Sequence, residues 1–263
     1  MAHEIKILTG HRIVITGASS GIGYAMAKAL ASAGASILLT ARSEERLNSA
    51  VEQLQKEGGQ VFGQVMDVRR EDSIQQVVTW VESQWGGLDV LINNAGIGMR
   101  TVNPSFLTDP QPFYKVSAEG FRDVIDTNLT GYFLVAKAFV PLFLRNSKGK
   151  IINISMNHET MKRKGFVPYG PSRAGAESLS YIMAEDLRDK GIDVNMLLPG
   201  GATDTGMIPE AYRQSFKDKG LLLSPDVMSE PIVFLASEES DGITGERIVA
   251  KDFAAWRQGV GGK

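Results

Sequence analysis

An apolar strand, Arg12–Thr16, runs directly into the glycine-rich turn Gly17-Ala18-Ser19-Ser20-Gly21-Ile22-Gly23, which opens a helix. Glycines allow a tight turn and close backbone approach, and a helix N-terminus offers free N–H groups and positive potential to an anion. In this strand–turn–helix context, the stretch predicts a pyrophosphate site for a dinucleotide. The predicted binding residues are Gly17, Ser19, Ser20, Gly21, Ile22 and Gly23.

The same turn also fits a second pattern, because Gly17-x-Ser19-x-Gly21 matches the nucleophile elbow of serine hydrolases. A hydrolase triad would need a histidine downstream of Ser19, and of the three histidines only His158 lies there. An elbow on the first strand would also lack the earlier strand and loop that complete an oxyanion hole. Dinucleotide binding is therefore the favoured interpretation.

Short apolar runs alternate with longer amphipathic stretches along the whole chain. We predict strands at Arg12–Thr16, Ser36–Thr40, Val61–Met66, Asp89–Asn93, Lys150–Ile154, Ile192–Leu198 and Glu246–Ala250. Helices Ile22–Ala33 and Glu44–Glu57 are predicted to end at Gly34 and at Gly58-Gly59. Buried parallel strands separated by helices indicate an α/β fold, a doubly wound Rossmann-type sandwich of about seven strands with helices on both faces. We expect one domain over residues 1–263.

The composition excludes several classes of function. The chain has no cysteine and only three histidines, so we expect no metal site. Its net charge is −2 with dispersed lysines and arginines, which predicts no nucleic-acid partner. No uninterrupted apolar run approaches the ~18 residues of a membrane span, and no targeting segment is evident. We therefore expect a cytoplasmic protein that acts on a small molecule.

Two long polar segments follow predicted strands, Ile97–Gly120 and Gly206–Ser224. Insertions after strand ends are where a parallel sheet builds its ligand crevice. We expect both segments to shape a substrate pocket, and the second to close over a bound cofactor. His158 either lines this pocket or lies exposed.

Tyr169 precedes Arg173 by one helical turn, and Ser155 lies upstream of both. A free phenol titrates near ~10, so a tyrosine that exchanges protons at neutral pH needs a fixed cation beside it. Arg173 can be that cation, and Pro171 suits the first turn of a helix that begins at the tyrosine. Arginine supplies charge but cannot release a proton.

Further motifs occur in order along the chain. They are Asp67-Val68, Asn93-Asn94-Ala95-Gly96, Asn128 within Thr127-Asn128-Leu129-Thr130-Gly131, Pro199-Gly200 and Ile243-Thr244-Gly245. Together with the glycine turn, Ser155 and Tyr169, they make the chain resemble the short-chain dehydrogenase/reductase family over nearly its full length.

The resemblance implies hydride transfer between a nicotinamide cofactor and a carbonyl/secondary alcohol pair. Tyr169 would be the general acid/base, Ser155 would bind the substrate oxygen, and Asn128 would hold a water of the proton relay. Family members place a lysine where this chain has Arg173. We expect altered but retained activity; the alternative is a dinucleotide-binding protein with little or no turnover. The resemblance also suggests a homotetramer or homodimer.

The choice of cofactor depends on the end of the second strand, where Arg42 occupies a position that an acidic residue would hold in an NAD enzyme. Arg42 can pair with a 2′-phosphate, so we predict NADP(H) over NAD(H); otherwise it begins the exposed face of the next helix. After Pro199 and Gly200, Thr205 is expected to meet the nicotinamide, with Thr203 as the alternative. Further cofactor contacts are predicted at Asp67, Val68, Asn94, Ala95, Gly96, Tyr169 and Arg173.

Overall fold

The computed structural model describes residues 6–260, over which strands and helices alternate. The strands are β1 (Arg12–Thr16), β2 (Ser36–Ala41), β3 (Gln60–Val65), β4 (Val90–Asn93), β5 (Gly149–Ile154), β6 (Ile192–Leu198) and β7 (Arg247–Val249). The α-helices are α1 (Gly21–Ser32), α2 (Glu44–Lys56), α3 (Glu71–Trp85), α4 (Ala118–Ile125), α5 (Gly131–Asn146), α6 (His158–Met161), α7 (Tyr169–Leu187), α8 (Glu210–Asp218), α9 (Ser229–Ala236) and α10 (Phe253–Val260).

The strands form one parallel sheet in the order β3-β2-β1-β4-β5-β6-β7. Every predicted strand is present, and no strand end differs from its predicted residue by more than about one position. The strand order reverses between β1 and β4, which are direct neighbours in the sheet. The predicted Rossmann-type architecture is confirmed, and its crevice opens at the β1/β4 junction.

Helices cover both faces of the sheet because alternate strand residues point to opposite sides. Ile13 and Ile15 of β1 pack in one core cluster, together with apolar residues of α1, α2 and α9. Val14 lies between them in sequence and packs in the other cluster, against α3 and α5. The continuous apolar runs of the sequence therefore correspond to strands buried on both faces.

Two glycines follow the helices that they were predicted to end. Gly34 follows α1 with φ 99°, and Gly58 follows α2 with φ 89°. Both lie in the left-handed region, which favours glycine because it has no Cβ. The two helices end one residue earlier than predicted, at Ser32 and Lys56.

A π-helical turn, Asp126–Thr130, joins α4 to α5 and makes one continuous helical stretch. This stretch, Ala118–Asn146, is 29 residues long with a mean hydropathy of 1.3 in its most apolar window, so by length and composition it could cross a membrane. Half of that window is buried inside the protein. Polar residues interrupt the apolar ones in this stretch, so it contains no uninterrupted apolar run of the length of a membrane span. Its buried side chains, among them Val135 and Phe139, belong to the sheet core.

Candidate active site

At the crevice, hydrogen bonds join the end of β1 to the residues that follow β4. Thr16 Oγ1 accepts from the backbone N–H groups of Asn94 and Ala95, both at 2.9 Å. The Asn94 side chain donates in return to the carbonyl oxygens of Thr16 and Gly17, at 2.9 and 3.0 Å. The glycine turn is therefore held at the end of β4 by its hydrogen bonds with Asn94 and Ala95.

The substitution Thr16→Val tests how much the hydrogen bonds accepted by Thr16 Oγ1 stabilise the protein. Valine keeps the shape of the buried side chain but removes the acceptor for two N–H groups, and each unsatisfied buried donor costs about 1–3 kcal/mol. We expect the free energy of unfolding, measured by denaturant titration, to fall by about 2–4 kcal/mol. Thr40→Val is the matched control, since Thr40 is equally buried on the neighbouring strand, but within residues 6–260 its side chain makes one long hydrogen bond of 3.4 Å, to the Ile15 carbonyl. Equal losses in the two variants would contradict this role for Thr16.

Two glycines of the turn are required by close packing. A Cβ on Gly17, whose φ is 64°, would lie 2.7 Å from Ala95 Cα. A Cβ on Gly23 would lie 2.5 Å from Asn94 Nδ2 and 2.7 Å from the Gly17 carbonyl oxygen. Any side chain at either position would push the turn away from β4, so these glycines keep the backbone compact at the entrance to α1.

The N-terminus of α1 is suited to an anion. Ser20, its N-cap residue, makes no side-chain capping hydrogen bond, and the first turn carries no acidic residue. The free N–H groups and the helix dipole therefore act together at Gly21, Ile22 and Gly23. Ser19 lies half-buried in the same turn. The turn fits the pyrophosphate of a dinucleotide.

Thr205 reaches this site from the segment after β6. A Cβ on Gly21 would lie 3.3 Å from the Thr205 side chain, so the threonine lies over the phosphate turn. Thr203 is instead buried and forms a bridge with Leu223. Pro199 and Gly200, both buried, begin the segment, and Gly200 has φ 94°. Of the two threonines, Thr205 is therefore the one that lies against the glycine turn.

Three predicted adenosine-side residues lie after β2 and β3. Arg42 is exposed, and its positive charge interacts electrostatically with the Asp67 carboxylate. Asp67 is bound by Arg69 at 2.7 Å, and this hydrogen bond lowers the pKa of Asp67 below its ordinary value. Val68 is buried and packs against Gly131, where a Cβ would lie 2.8 Å away. The N-cap of α3 is Arg70 rather than Asp67, so Asp67 does not serve as that cap.

Tyr169 is the first residue of α7, as predicted, and Pro171 lies in its first turn. The Arg173 guanidinium lies over the Tyr169 ring, 5.5 Å from its centroid. The two residues of the predicted phenol–cation pair therefore meet through a cation–π contact. No side-chain hydrogen bond joins the Tyr169 hydroxyl to Ser155 or Arg173 among residues 6–260; the thioether of Met207 lies 3.8 Å from it.

Arg173 is almost fully buried, with 3% of its surface exposed. Its Nη1 donates to the Tyr132 hydroxyl at 2.7 Å and to the Ile154 carbonyl at 2.9 Å, and its Nε has no partner within the described part of the chain. Burial opposes the charge, but attraction by Tyr132 and Tyr169 outweighs burial and raises the pKa of Arg173. The guanidinium is thus a fixed, permanently charged group.

Asn128 and Gly96 complete the surroundings of Arg173. Asn128 is fully buried in the π-helical turn; its amide donates to the Ile97 carbonyl at 2.9 Å and to Ser172 Oγ at 3.1 Å, and its Oδ1 accepts from Ile97 N. Single π turns in α-helices are frequent at functional sites. A Cβ on Gly96 would lie 2.4 Å from Arg173 Nη2, so the glycine makes room for the guanidinium.

Ser155 has an unexpected partner. Its hydroxyl donates to the Glu177 carboxylate at 2.5 Å, and both residues are buried. Glu177 also pairs with Arg247 of β7 at 2.8 Å and with His158 Nε2 at 3.1 Å. His158 therefore contacts Glu177 rather than Ser19, which gives the hydrolase interpretation no support. An open groove of about 570 Å³ passes His158 and Glu177 on the outer side of α7.

The long polar segments lie around Tyr169 as expected. The tyrosine packs against a small apolar cluster formed by Met99, Phe106 and Phe166. Gly206 accepts a hydrogen bond from Arg100 at 3.0 Å, which joins the second segment to the first. Asp204, two residues before the second segment, binds Lys217 at 2.6 Å and also Arg213, so two residues of α8 pair with the chain that leads into the segment. Both segments therefore lie against the tyrosine, the first through Met99 and Phe106 and the second through Met207.

The sequence analysis missed four polar residues around the site: Tyr132, Ser172, Glu177 and Arg247. Three of them are distant in sequence from the residues that they contact, and only the fold brings them together. Ser172, adjacent to Arg173, is a small polar residue in the first turn of α7 and could have been considered. Within residues 6–260, no group of three or more His, Asp or Glu side chains is placed to hold a metal ion.

A crevice of this kind, at the point where the strand order of a parallel sheet reverses, is typical of α/β enzymes that bind dinucleotides. Comparison with known proteins gives the family: a model described as short chain dehydrogenase matches residues 11–215. The chain belongs to this family and is an oxidoreductase that acts on a CH–OH/C=O pair.

The relatives cover nearly the whole chain. A 3-oxoacyl-(acyl-carrier-protein) reductase of Aquifex aeolicus is 33% identical over 251 residues, which are 93% of this chain and 97% of that protein. The crystal structure of a gluconate 5-dehydrogenase from Burkholderia cenocepacia, in complex with NADP and tartrate, is 28% identical, with a TM-score of 0.81 over 96% and 98% of the two chains. An actinorhodin polyketide ketoreductase with NADPH is 26% identical, with a TM-score of 0.80 over 92% and 97%.

Proposed function

We propose that this protein transfers a hydride between NADP(H) and a carbonyl/secondary alcohol substrate, with Tyr169 as the general acid/base. The observation that carries the proposal is the pair formed by Tyr169 and the buried Arg173, whose guanidinium lies 5.5 Å from the centroid of the tyrosine ring, in contact with both long polar segments. NADPH, when bound, would supply the hydride, and the residues of the chain would move the proton and hold the substrate.

Tyr169 would give its phenolic proton to the carbonyl oxygen in reduction and take the alcohol proton in oxidation. Its place at the N-terminus of α7 and the charge of Arg173 would both stabilise negative charge that develops on the reacting oxygens during the transfer. Ser155 would bind the same substrate oxygen. Arg173 cannot relay a proton, so its contribution would be the fixed charge and contact with the cofactor ribose. Buried Asn128 would hold the water from which the phenolate recovers its proton.

Cofactor binding would use the whole length of the crevice. The α1 N-terminus at Gly21, Ile22 and Gly23 would hold the pyrophosphate, with Thr205 closing over it. Asp67 and Val68 would flank the adenine, and Asn94, Ala95 and Gly96 would line the nicotinamide side with Tyr169 and Arg173. Two of the similar structures contain NADP or NADPH, which supports this cofactor. Arg42, exposed at the end of β2, would pair with the 2′-phosphate.

Arg42→Ala tests the choice of cofactor and the proposed function together. We expect the Kd for NADPH, measured by fluorescence titration, to rise about 10- to 100-fold while the Kd for NADH changes little, because only NADPH loses a charge-assisted contact. Arg46→Ala is the matched control, an exposed arginine in the first turn of α2. The wild-type protein should oxidise NADPH with members of a ketone panel. An NADH preference in the wild type would contradict the assignment.

A further inference from the structure

Two exposed arginines border the apolar cluster against which Tyr169 packs. Arg100 directly follows Met99, a buried member of that cluster, on the first long polar segment. Arg163 lies on the loop between α6 and α7, and its guanidinium lies over the ring of Phe166, another member of the cluster, 5.2 Å from the ring centroid. Both arginines therefore belong to the surroundings of the proposed proton donor.

The position of Arg100 relative to the tyrosine hydroxyl follows from its contact with the second segment. Arg100 Nη1 donates to the Gly206 carbonyl at 3.0 Å. The next residue, Met207, has its thioether 3.8 Å from the Tyr169 hydroxyl. The same sulfur lies 3.5 Å from where a Cβ on Gly98 would be, two residues before the arginine. Arg100 is therefore one hydrogen bond and one residue away from a side chain that contacts the hydroxyl.

The charges of the two arginines are available to a ligand. One guanidinium contacts a ring and the other a carbonyl oxygen, and neither forms an ion pair within residues 6–260. Lys162-Arg163-Lys164 are consecutive and exposed, and Glu159 is the one acidic residue between Ser155 and Tyr169. A guanidinium carries five N–H donors in a planar fork that matches the oxygens of a carboxylate or phosphate. The ring and the carbonyl hold the two groups in place, which lowers the entropic cost of binding.

We propose that Arg100 and Arg163 select an anionic substrate, holding its carboxylate or phosphate group while its carbonyl lies at Tyr169. The inference rests on the proposed function, since it places the reacting carbonyl at that tyrosine. It adds the class of substrate, an anionic ketone or the alcohol formed from it, which hydride transfer alone leaves open. The simpler alternative is that these exposed charges contact only water.

The test compares substrates that differ only in charge. Straight-chain oxo acids of increasing length are assayed with NADPH beside the primary amide of each, and the phosphate monoester of a hydroxyketone is assayed beside the free hydroxyketone. We expect kcat/KM to be about 10- to 100-fold higher for the charged member of the preferred pair. Added salt should lower this value and leave that of the neutral member unchanged. The pair with the larger ratio distinguishes a carboxylate from a phosphate.

Substitutions at the two arginines assign the preference to them. Arg163→Gln and Arg100→Gln should each raise KM for the preferred anion about five- to ten-fold, a modest factor because exposed charges are screened by solvent. The kcat should not change, and KM for the neutral counterpart should stay within about two-fold. Arg163→Lys keeps the charge and should restore most of the affinity. Arg46→Gln, at an exposed arginine in the first turn of α2, is the matched control and should change neither constant.

The outcomes separate this inference from the proposed function. Equal kcat/KM for charged and neutral substrates would overturn the selection of an anion and leave the proposed function standing, because ketones are still reduced. Equal losses for both substrates in Arg163→Gln and Arg100→Gln would do the same. If the protein binds NADPH but reduces no ketone of either kind, the proposed function is wrong, and the role of the two arginines is wrong with it.

Discussion

Replacing Tyr169 with phenylalanine is expected to lower kcat by about 10²- to 10⁴-fold while the protein stays folded and still binds NADPH. Phenylalanine keeps the ring that packs over Arg173 and against the cluster of Met99, Phe106 and Phe166. Only the hydroxyl is lost, and with it the group that would exchange a proton with the substrate oxygen. The measurement is steady-state turnover of the best substrate from a ketone panel, beside fluorescence titration with NADPH.

Tyr181→Phe is the control for Tyr169→Phe. Tyr181 lies on the same helix, three turns further along, and is 44% exposed. Loss of its hydroxyl should leave kcat within about two-fold of the wild type, as for most surface substitutions. A Tyr169→Phe enzyme that keeps more than about a tenth of its activity would show that another group moves the proton.

Arg173→Met is expected to lower kcat about 10²- to 10³-fold, because it removes the fixed charge from beside the phenol. It also removes the guanidinium donor to the buried Tyr132 hydroxyl and one donor to the Ile154 carbonyl, which keeps its hydrogen bond from the Tyr132 hydroxyl at 3.1 Å. We therefore expect a lower melting temperature as well, which distinguishes this variant from Tyr169→Phe. Arg188→Met is the control, since that arginine follows α7 and is exposed. Full activity in Arg173→Met would exclude a role for the charge.

The substitution Arg173→Lys tests whether arginine at this position lowers turnover or is required for it. Lysine keeps the charge and adds a group that can pass on a proton. We expect NADPH binding to persist and kcat to rise, or its pH optimum to move downward. If this variant is folded but inactive, the two hydrogen bonds of Arg173 Nη1 are what the site requires, and arginine is the adapted residue. A wild type that binds NADPH but reduces no carbonyl would instead favour a binding protein without turnover.

The fold could be predicted from the sequence because its strands are local and continuous. Ile13-Val14-Ile15 and Ile37-Leu38-Leu39 are apolar on both faces, and glycines end the helices between them. The π-helical turn at Asp126–Thr130 could not be predicted, since it depends on how α4 and α5 pack and carries no distinctive pattern. The same holds for the helical stretch 118–146, whose apolar content is spread around a helix rather than concentrated in a run.

The candidate site was predictable only in part. Residues at the ends of neighbouring parallel strands, such as Thr16, the last residue of β1, and Asn94, which follows β4, meet because the strands end at one edge of the sheet, and this geometry can be inferred from sequence. Glu177 and Arg247 are 70 residues apart, and nothing in either segment indicates that they pair around Ser155. A motif specifies which residue types are present, whereas the direction of a hydroxyl proton depends on neighbours contributed by other elements.

The Arg173 guanidinium fills the space that a side chain at position 96 would need. This limits the order in which substitutions at the two positions can be acquired. A side chain at position 96 would displace the guanidinium, because its Cβ would lie 2.4 Å from Arg173 Nη2. A lineage that acquires alanine first would pass through a strained intermediate, whereas one that first shortens residue 173 would meet no such barrier. Arg173 therefore limits which residues can replace Gly96. Sequences that carry a larger residue at position 96 should also carry a smaller one at position 173.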